Sequence, residues 1–358
     1  MYSTATYRLY LLLSERRVPG LVEREAAEQP DRVGAVLGRQ AEVAALADRL
    51  RGRFTNVLLV ARGSSDNVAR YAQYVLGARN GLRAALAAPS LTTRYGARLD
   101  LRDTLTIGIS QSGTSPDVVG VVSEAARQGA PTVAITNAPG SALAAAAEHV
   151  VALEAGAEDA VAATKTYTCS LAAIALLSAA LAGDAGAYGD LADVPDAMRE
   201  VLAARLPSAA LNRWVSARRG IVVGRGYEFA TAHETALKLQ ELGGVIAQAH
   251  SAADVRHGPV GGLTGDVPVI VFAAPGALSD DLVQTCAALA SRGPLTTIGA
   301  LEAAHQHAGV AWRLPEVAEW VAPLVSVVAG QRLAIALAHT LGRDADQPPG
   351  LTKVTRTR

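Results

Sequence analysis

A chain of 358 residues, half of them apolar and only 4% aromatic, is long enough for two α/β domains or one large one, with many alanines for close helix packing. Lys plus Arg and Asp plus Glu each number 33, so charge gives no reason to expect nucleic acid or another polyanion as a partner. The two cysteines, Cys169 and Cys286, lie in apolar helical patterns and fit buried thiols of a reducing cytoplasm better than a disulfide. The longest apolar stretch, Cys169 to Leu181, is shorter than a membrane span and contains Ser170 and Ser178, so no membrane partner is expected.

Residues 1–20 are irregular. Tyr7 to Leu13 is too short and too close to Arg8 for a signal peptide, and Arg16-Arg17 reads as a solvated face. Leu21 to Arg51 is helical in pattern, with Pro30 and Asp31 marking a fresh helix start. Asn56 to Ala61 then reads as a buried parallel strand, followed by Arg62-Gly63-Ser64-Ser65-Asp66 and a helix to Leu76.

The next unit organises the chain. The strand Thr104 to Ile109 runs into Ser110-Gln111-Ser112-Gly113-Thr114-Ser115-Pro116-Asp117, and a helix follows over Val118 to Arg127. Ser115 suits an N-cap, Pro116 the first helical position, and Asp117 the first turn. Hydroxyls, free backbone N–H groups and the positive end of a helix dipole meet there, which makes an anion seat suited to a phosphate monoester. In an open parallel sheet ligands lie beyond the carboxyl ends of the strands. The Ser64-Ser65 turn would then converge on the same ligand, the plainer alternative being that both serines only cap a helix.

Thr132 to Thr136 leads to Asn137 through Ser141, and His149 to Leu153 to a loop with Glu154, Glu158 and Asp159. Val161-Ala162-Ala163-Thr164-Lys165-Thr166-Tyr167 enters a long apolar helix ending near Gly183. Strands and helices alternating at these lengths imply right-handed crossovers and a parallel sheet covered on both faces. Gly183 to Pro195 reads as a connection, after which Gly220 to Gly226 repeats the apolar strand and Arg-Gly turn of Leu58 to Gly63. Pro268 to Ala273, Leu295 to Ile298 and the apolar helix Pro323 to His339 complete a second copy of one α/β unit. That copy has Pro275-Gly276 where the first has its serine-rich loop, so only the first is expected to bind phosphate. The resulting division is an N-terminal helical segment (1–34), a phosphate-binding unit (35–190), a second unit (197–345) and a C-terminal tail (346–358).

Five stretches, Ser110-Gln111-Ser112-Gly113, Val161 to Lys165, Glu234 to Glu241, Arg256-His257-Gly258-Pro259 and the tail Leu351 to Thr355, together resemble tandem sugar-isomerase (SIS) domain proteins. The resemblance implies two doubly wound, three-layer α/β/α domains, each a parallel sheet flanked by helices. From about Glu23 onward the chain is similar to the isomerase half of glucosamine-6-phosphate synthases. Ala61 to Asp66 and Val161 to Lys165 are closer to the stand-alone glucosamine-6-phosphate deaminases of that fold. The synthases' glutaminase half uses an N-terminal cysteine, so glutamine-dependent ammonia release is not expected of this chain.

Moving a proton between C1 and C2 of an amino-sugar phosphate requires a carboxylate over both carbons, a cation beside the developing oxyanion, and an acid/base that opens the ring. The resemblance assigns Glu241 as the base, and Lys238, on the same helical face, as its assistant at C2 and nitrogen. On spacing alone the two would be a surface ion pair. Glu234 shares the face and is placed to orient Lys238 at the sugar. His257 resembles the family's ring-opening histidine, supplied by a neighbouring subunit, which implies at least a homodimer. Lys353 matches the tail lysine that reaches the sugar carbonyl as the tail closes. Phosphate is assigned to Ser64, Ser65, Ser110, Gln111, Ser112 and Ser115, held without an arginine fork, and sugar contacts to Val161 and Ala163. Ala163 replaces a serine of the synthases, and Arg62 replaces a small apolar residue or cysteine.

The histidines lack metal-ligand spacing, so neither metal nor cofactor is expected. The leading expectation is conversion of glucosamine 6-phosphate to fructose 6-phosphate and ammonia. The alternatives are an isomerase or deglycase of another amino- or keto-sugar phosphate, and a non-catalytic sugar-phosphate sensor. The sensor is disfavoured because binding alone would not need Glu241, Lys238, His257 and Lys353.

Overall fold

The computed structural model describes residues 18–353. The expectations for residues 1–17, including Tyr7 to Leu13 and Arg16-Arg17, and for Val354 and Thr355 lie outside the described residues. The helical stretch from Leu21 divides into three helices, Leu21–Ala27, Gln29–Leu37 and Gln40–Leu50. Pro30 occupies the first turn of the second, where its missing N–H costs nothing.

Among the described residues, ten strands form two separate five-stranded sheets, parallel throughout. The first comprises β1 (Asn56–Val60), β2 (Arg83–Leu86), β3 (Thr104–Ile109), β4 (Thr132–Thr136) and β5 (His149–Ala152), in the order β2-β1-β3-β4-β5. The second comprises β6 (Arg219–Gly224), β7 (Ile246–Ser251), β8 (Val269–Ala273), β9 (Leu295–Gly299) and β10 (Val310–Arg313), in the order β10-β9-β8-β6-β7. Read from the opposite edge, the second order repeats the first, so the inner strands β1 and β3 correspond to β6 and β8. Asn56 to Val60 pairs residue for residue with Thr104 to Gly108, which brings the Arg62 and Ser110 turns to the same end of the sheet. The order of connection reverses between these two strands, the position at which open α/β sheets bind ligands.

Helices join the halves. Ser64–Asn80, Lys165–Ala182, Glu228–Glu241 and Ala322–Thr340 pack against one another, and one apolar cluster runs from Val22 through both halves to Ala345. Tyr71 donates to the Trp320 carbonyl at 2.9 Å, and the Trp320 indole donates to Asp190 at 2.7 Å, two ties across the halves. Lys165–Ala182 and Ala322–Thr340 are long and apolar enough to cross a membrane, yet 89% and 83% of them is buried within the protein, so both serve as core helices. Cys169 and Cys286 are free and buried, and burial pushes both thiols up to about 12.

Gly183 to Pro195, expected to be a plain connection, instead holds the helix Ala187–Ala192 and the start of Val194–Ala203. Three strands escaped the sequence reading: β2, β7 and β10. Each is an edge strand partly open to solvent, so it lacks the continuous apolar run that marks an inner parallel strand.

Candidate active site

The serine turns expected to seat a phosphate form where β1 and β3 end. Gly63 turns the chain with φ +58° into the Ser64–Asn80 helix, and Gly113 turns it with φ +61° ahead of the Pro116–Arg127 helix. A Cβ at Gly113 would lie 1.9 Å from Ser141 Oγ, so glycine is required there on two counts. Within the loop the Gly113 amide donates to Ser110 Oγ at 3.1 Å, and the Ser112 and Thr114 hydroxyls lie 2.9 Å apart. Ser115 occupies the N-cap position without a side-chain capping bond, and Pro116 is the first helical residue.

Ser64, Ser65, Ser110, Gln111, Ser112 and Ser115 line one cavity of about 240 Å³, and Val161, Ala163, Lys238, Glu241 and Lys353 line the same cavity. This is room for a single small metabolite. The serine loops of the first half and the helix carboxylate of the second therefore face one space. Arg62 also lines it, its guanidinium 2.6 Å from Asp117 Oδ2, so the seat has a cation nearby that the sequence reading did not include.

At the other end, Lys238 is 1% exposed on the Glu228–Glu241 helix, which rules out a surface ion pair. Its Nζ lies 3.3 Å from Glu234 Oε1 and 2.5 Å from Glu241 Oε2, and it donates to Ser64 Oγ at 3.2 Å. Burial alone would push the ammonium's pKa down, but the two carboxylates outweigh it and hold the pKa above the ordinary lysine value.

Glu234 is completely buried and does not line the cavity. Ser64 Oγ and Asn67 Nδ2 donate to its two oxygens at 2.9 and 2.8 Å, so with Lys238 it is fully engaged. Glu234 therefore sits behind Lys238 and does not reach the cavity itself. Burial raises its pKa, with Lys238 as the main opposing influence. Ser64 likewise belongs to this polar cluster as well as to the cavity lining.

His257 is exposed in the segment after the short helix Ala252–Val255 and does not line the cavity of its own chain. Two charged residues without an assigned role do line it, Arg62 and Glu158. Glu158 is buried at the end of the acidic loop and accepts from Lys353 Nζ at 3.2 Å, a partner 195 residues away. No local pattern could have announced that pairing.

The second half shows why its corresponding turn differs. Arg225 Nε lies 3.0 Å from Asp281 Oδ2, repeating the Arg62–Asp117 bridge between two switch-point turns. Where a phosphate would meet the turn after β8, the chain's own Glu319 carboxylate accepts the Ala277 amide at 3.0 Å and crowds Gly276. Among the described residues, no group of three or more His, Cys, Asp or Glu is arranged to hold a metal.

The sequence pattern of the SIS domain matches residues 51–180 and 215–331, one copy over each sheet. The chain belongs to the SIS domain family. A glutamine–fructose-6-phosphate aminotransferase (isomerizing) of Thermus thermophilus is 34% identical over 310 residues, covering 83% of this chain and 51% of that one. The chain thus spans about half the length of the curated relatives it matches. Among solved structures, a protein of Silicibacter pomeroyi proposed to be a phosphosugar isomerase is 33% identical with a TM-score of 0.83, over 92% of this chain and 100% of that one. Glucosamine-6-phosphate deaminase of Thermotoga maritima shares the fold at 19% identity and a TM-score of 0.73, over 94% of this chain and 100% of that one.

Proposed function

We propose that this SIS protein converts glucosamine 6-phosphate and water to fructose 6-phosphate and ammonia, as a cytoplasmic homodimer without metal or cofactor. The single observation that carries the reading is that the serine loops at the ends of β1 and β3 share one small cavity with Glu241 and Lys238. A phosphate taken by Ser65, Ser110, Gln111, Ser112 and Ser115 leaves the far end of a hexose at Lys238 and Glu241. In this reading residues 35–190 hold the phosphate, residues 197–345 supply the base, and residues 346–358 close over the cavity.

His257 of a second subunit opens the pyranose ring, and Lys353 engages the carbonyl at C1. Glu241 removes the proton from C2 and returns it to C1, giving an imine at C2 while the Lys238 ammonium offsets developing negative charge. Water adds to that imine and ammonia leaves, which yields the ketose. Val161 and Ala163 flank the sugar in the cavity wall.

The test supplies glucosamine 6-phosphate to the purified protein and follows ammonia and fructose 6-phosphate together. Both products should appear in equal amounts, and Glu241→Gln should lower kcat by about 10²- to 10⁴-fold. Binding without turnover would replace this reading with a sensor, and turnover only of another amino- or keto-sugar phosphate would replace it with an isomerase or deglycase.

A further inference from the structure

The chemistry above leaves Glu158 without a task, although its buried carboxylate forms part of the cavity wall. The chain itself supplies most of its donors. The Thr164 and Thr166 amides donate to Oε1 at 2.9 and 3.1 Å, and the Thr166 hydroxyl donates to Oε2 at 2.5 Å. Burial pushes this carboxyl up, but Lys353 and the threonine donors outweigh it and leave it below the ordinary glutamate value. Lys353 Nζ adds its bond to Glu158 at 3.2 Å and donates to the Ala160 carbonyl at 2.7 Å.

The loop and the tail are fixed elsewhere. Glu25 accepts the Asp159 amide at 2.6 Å and the Ala160 amide at 3.2 Å, pinning the loop to the N-terminal helices. Asp346 accepts the Leu21 and Val22 amides at 2.9 and 2.8 Å, and its carbonyl accepts the Val161 amide at 3.3 Å. From that anchor the chain passes Pro348-Pro349-Gly350, two stiff residues and a glycine at φ +78°, before Lys353 turns into the cavity wall. The tail is therefore a strap with two fastenings. The one at Asp346 is built from backbone amides. The one at Lys353 is a single side chain that Glu158 can release while keeping its threonine donors.

We infer that Glu158 is a positioning residue: it draws the Lys353 ammonium into the cavity wall, holds the strap from 347 to 353 closed, and releases Lys353 to a ligand's carbonyl oxygen. The loop chemistry that keeps Glu158 satisfied is what makes the exchange possible. The inference rests on the proposed function only for the ligand's identity.

Amide hydrogen exchange on the full ligand-free chain tests it without any turnover. Glu158→Gln and Lys353→Met should each speed exchange across residues 350–353 by about five- to tenfold, with β1 and β8 unchanged, and the double variant should match Lys353→Met alone. A tail that stays protected in Glu158→Gln would overturn the inference. So would loosening confined to residues 158–166, which is what a purely structural Glu158 would give. In turnover, Glu158→Gln should lower kcat about tenfold with little change in KM, because the serine seat is untouched. A rise in KM alone would count against positioning. Should glucosamine 6-phosphate prove not to be a substrate, the exchange result still decides the strap.

Discussion

Lys238 and Glu241 differ in what they owe to the fold, and mutation should separate them. Glu241 is 21% exposed in its side chain and faces the cavity, so Glu241→Gln should leave urea unfolding nearly unchanged while abolishing most turnover. Lys238 compensates Glu234, which has no access to solvent. Removing one partner of a buried pair strands the other's charge, and the usual cost is about 3–5 kcal/mol. Lys238→Ala should therefore lose stability of that order in urea unfolding, and Glu234→Gln introduced alongside should restore part of it. Gly113 offers a third separation. Gly113→Ala forces a side chain into left-handed backbone and against Ser141, a strain of about 1–3 kcal/mol placed inside the loop proposed to hold the phosphate. KM for the phosphosugar should rise well beyond what the loss of stability explains.

The Glu228–Glu241 helix carries, at its first residue, a carboxyl that the site does not use. Glu228 is buried, accepts the Ser326 hydroxyl at 2.7 Å, and is pushed by burial from 4.5 up to about 7. The folded-state pKa is the higher one, so between pH 4.5 and 7 the unfolded chain ionises Glu228 while the folded chain keeps it neutral. Each pH unit in that window costs the fold about 1.4 kcal/mol. Glu228→Gln has no such penalty, so its stability relative to wild type should rise by about 3 kcal/mol from pH 4.5 to 7 and stay level above. Parallel pH series of urea unfolding for the two proteins would show a constant difference if Glu228 titrated as an exposed residue.

Which elements were legible follows from the same physics. β1, β3, β4 and β8 are inner strands and carry largely apolar runs, whereas β2, β7 and β10 close the edges and do not. The geometry of the loop at residues 110–115 was legible because strand end, glycine turn and helix start are consecutive. Glu158 was not, because its partner Lys353 comes from the far end of the chain, and the full burial of Glu234 was not, because helical spacing gives a face but not a depth.

For the whole molecule, the unfinished element is His257. It is exposed beside the Arg256–Asp281 ion pair, outside its own chain's cavity, while the residues proposed for phosphate, base and tail all meet within that cavity. A shared site makes a distinct demand on mixtures of defective subunits. Glu241→Gln and His257→Ala homodimers should each be nearly inactive, since every site lacks either its base or its ring-opening acid. Mixed and allowed to exchange subunits at equal concentration, half the dimers become heterodimers, and each has one site combining an intact Glu241 with an intact His257. About a quarter of all sites should then be competent, as follows for a two-fold symmetric pair with reciprocal contacts. Activity recovering toward about 25% of wild type after denaturation and co-refolding, and not before mixing, would establish the exchange. Recovery absent despite heterodimers detected by native mass spectrometry would mean that His257 serves its own chain or none, and ring opening would then have to fall to a group already lining the cavity.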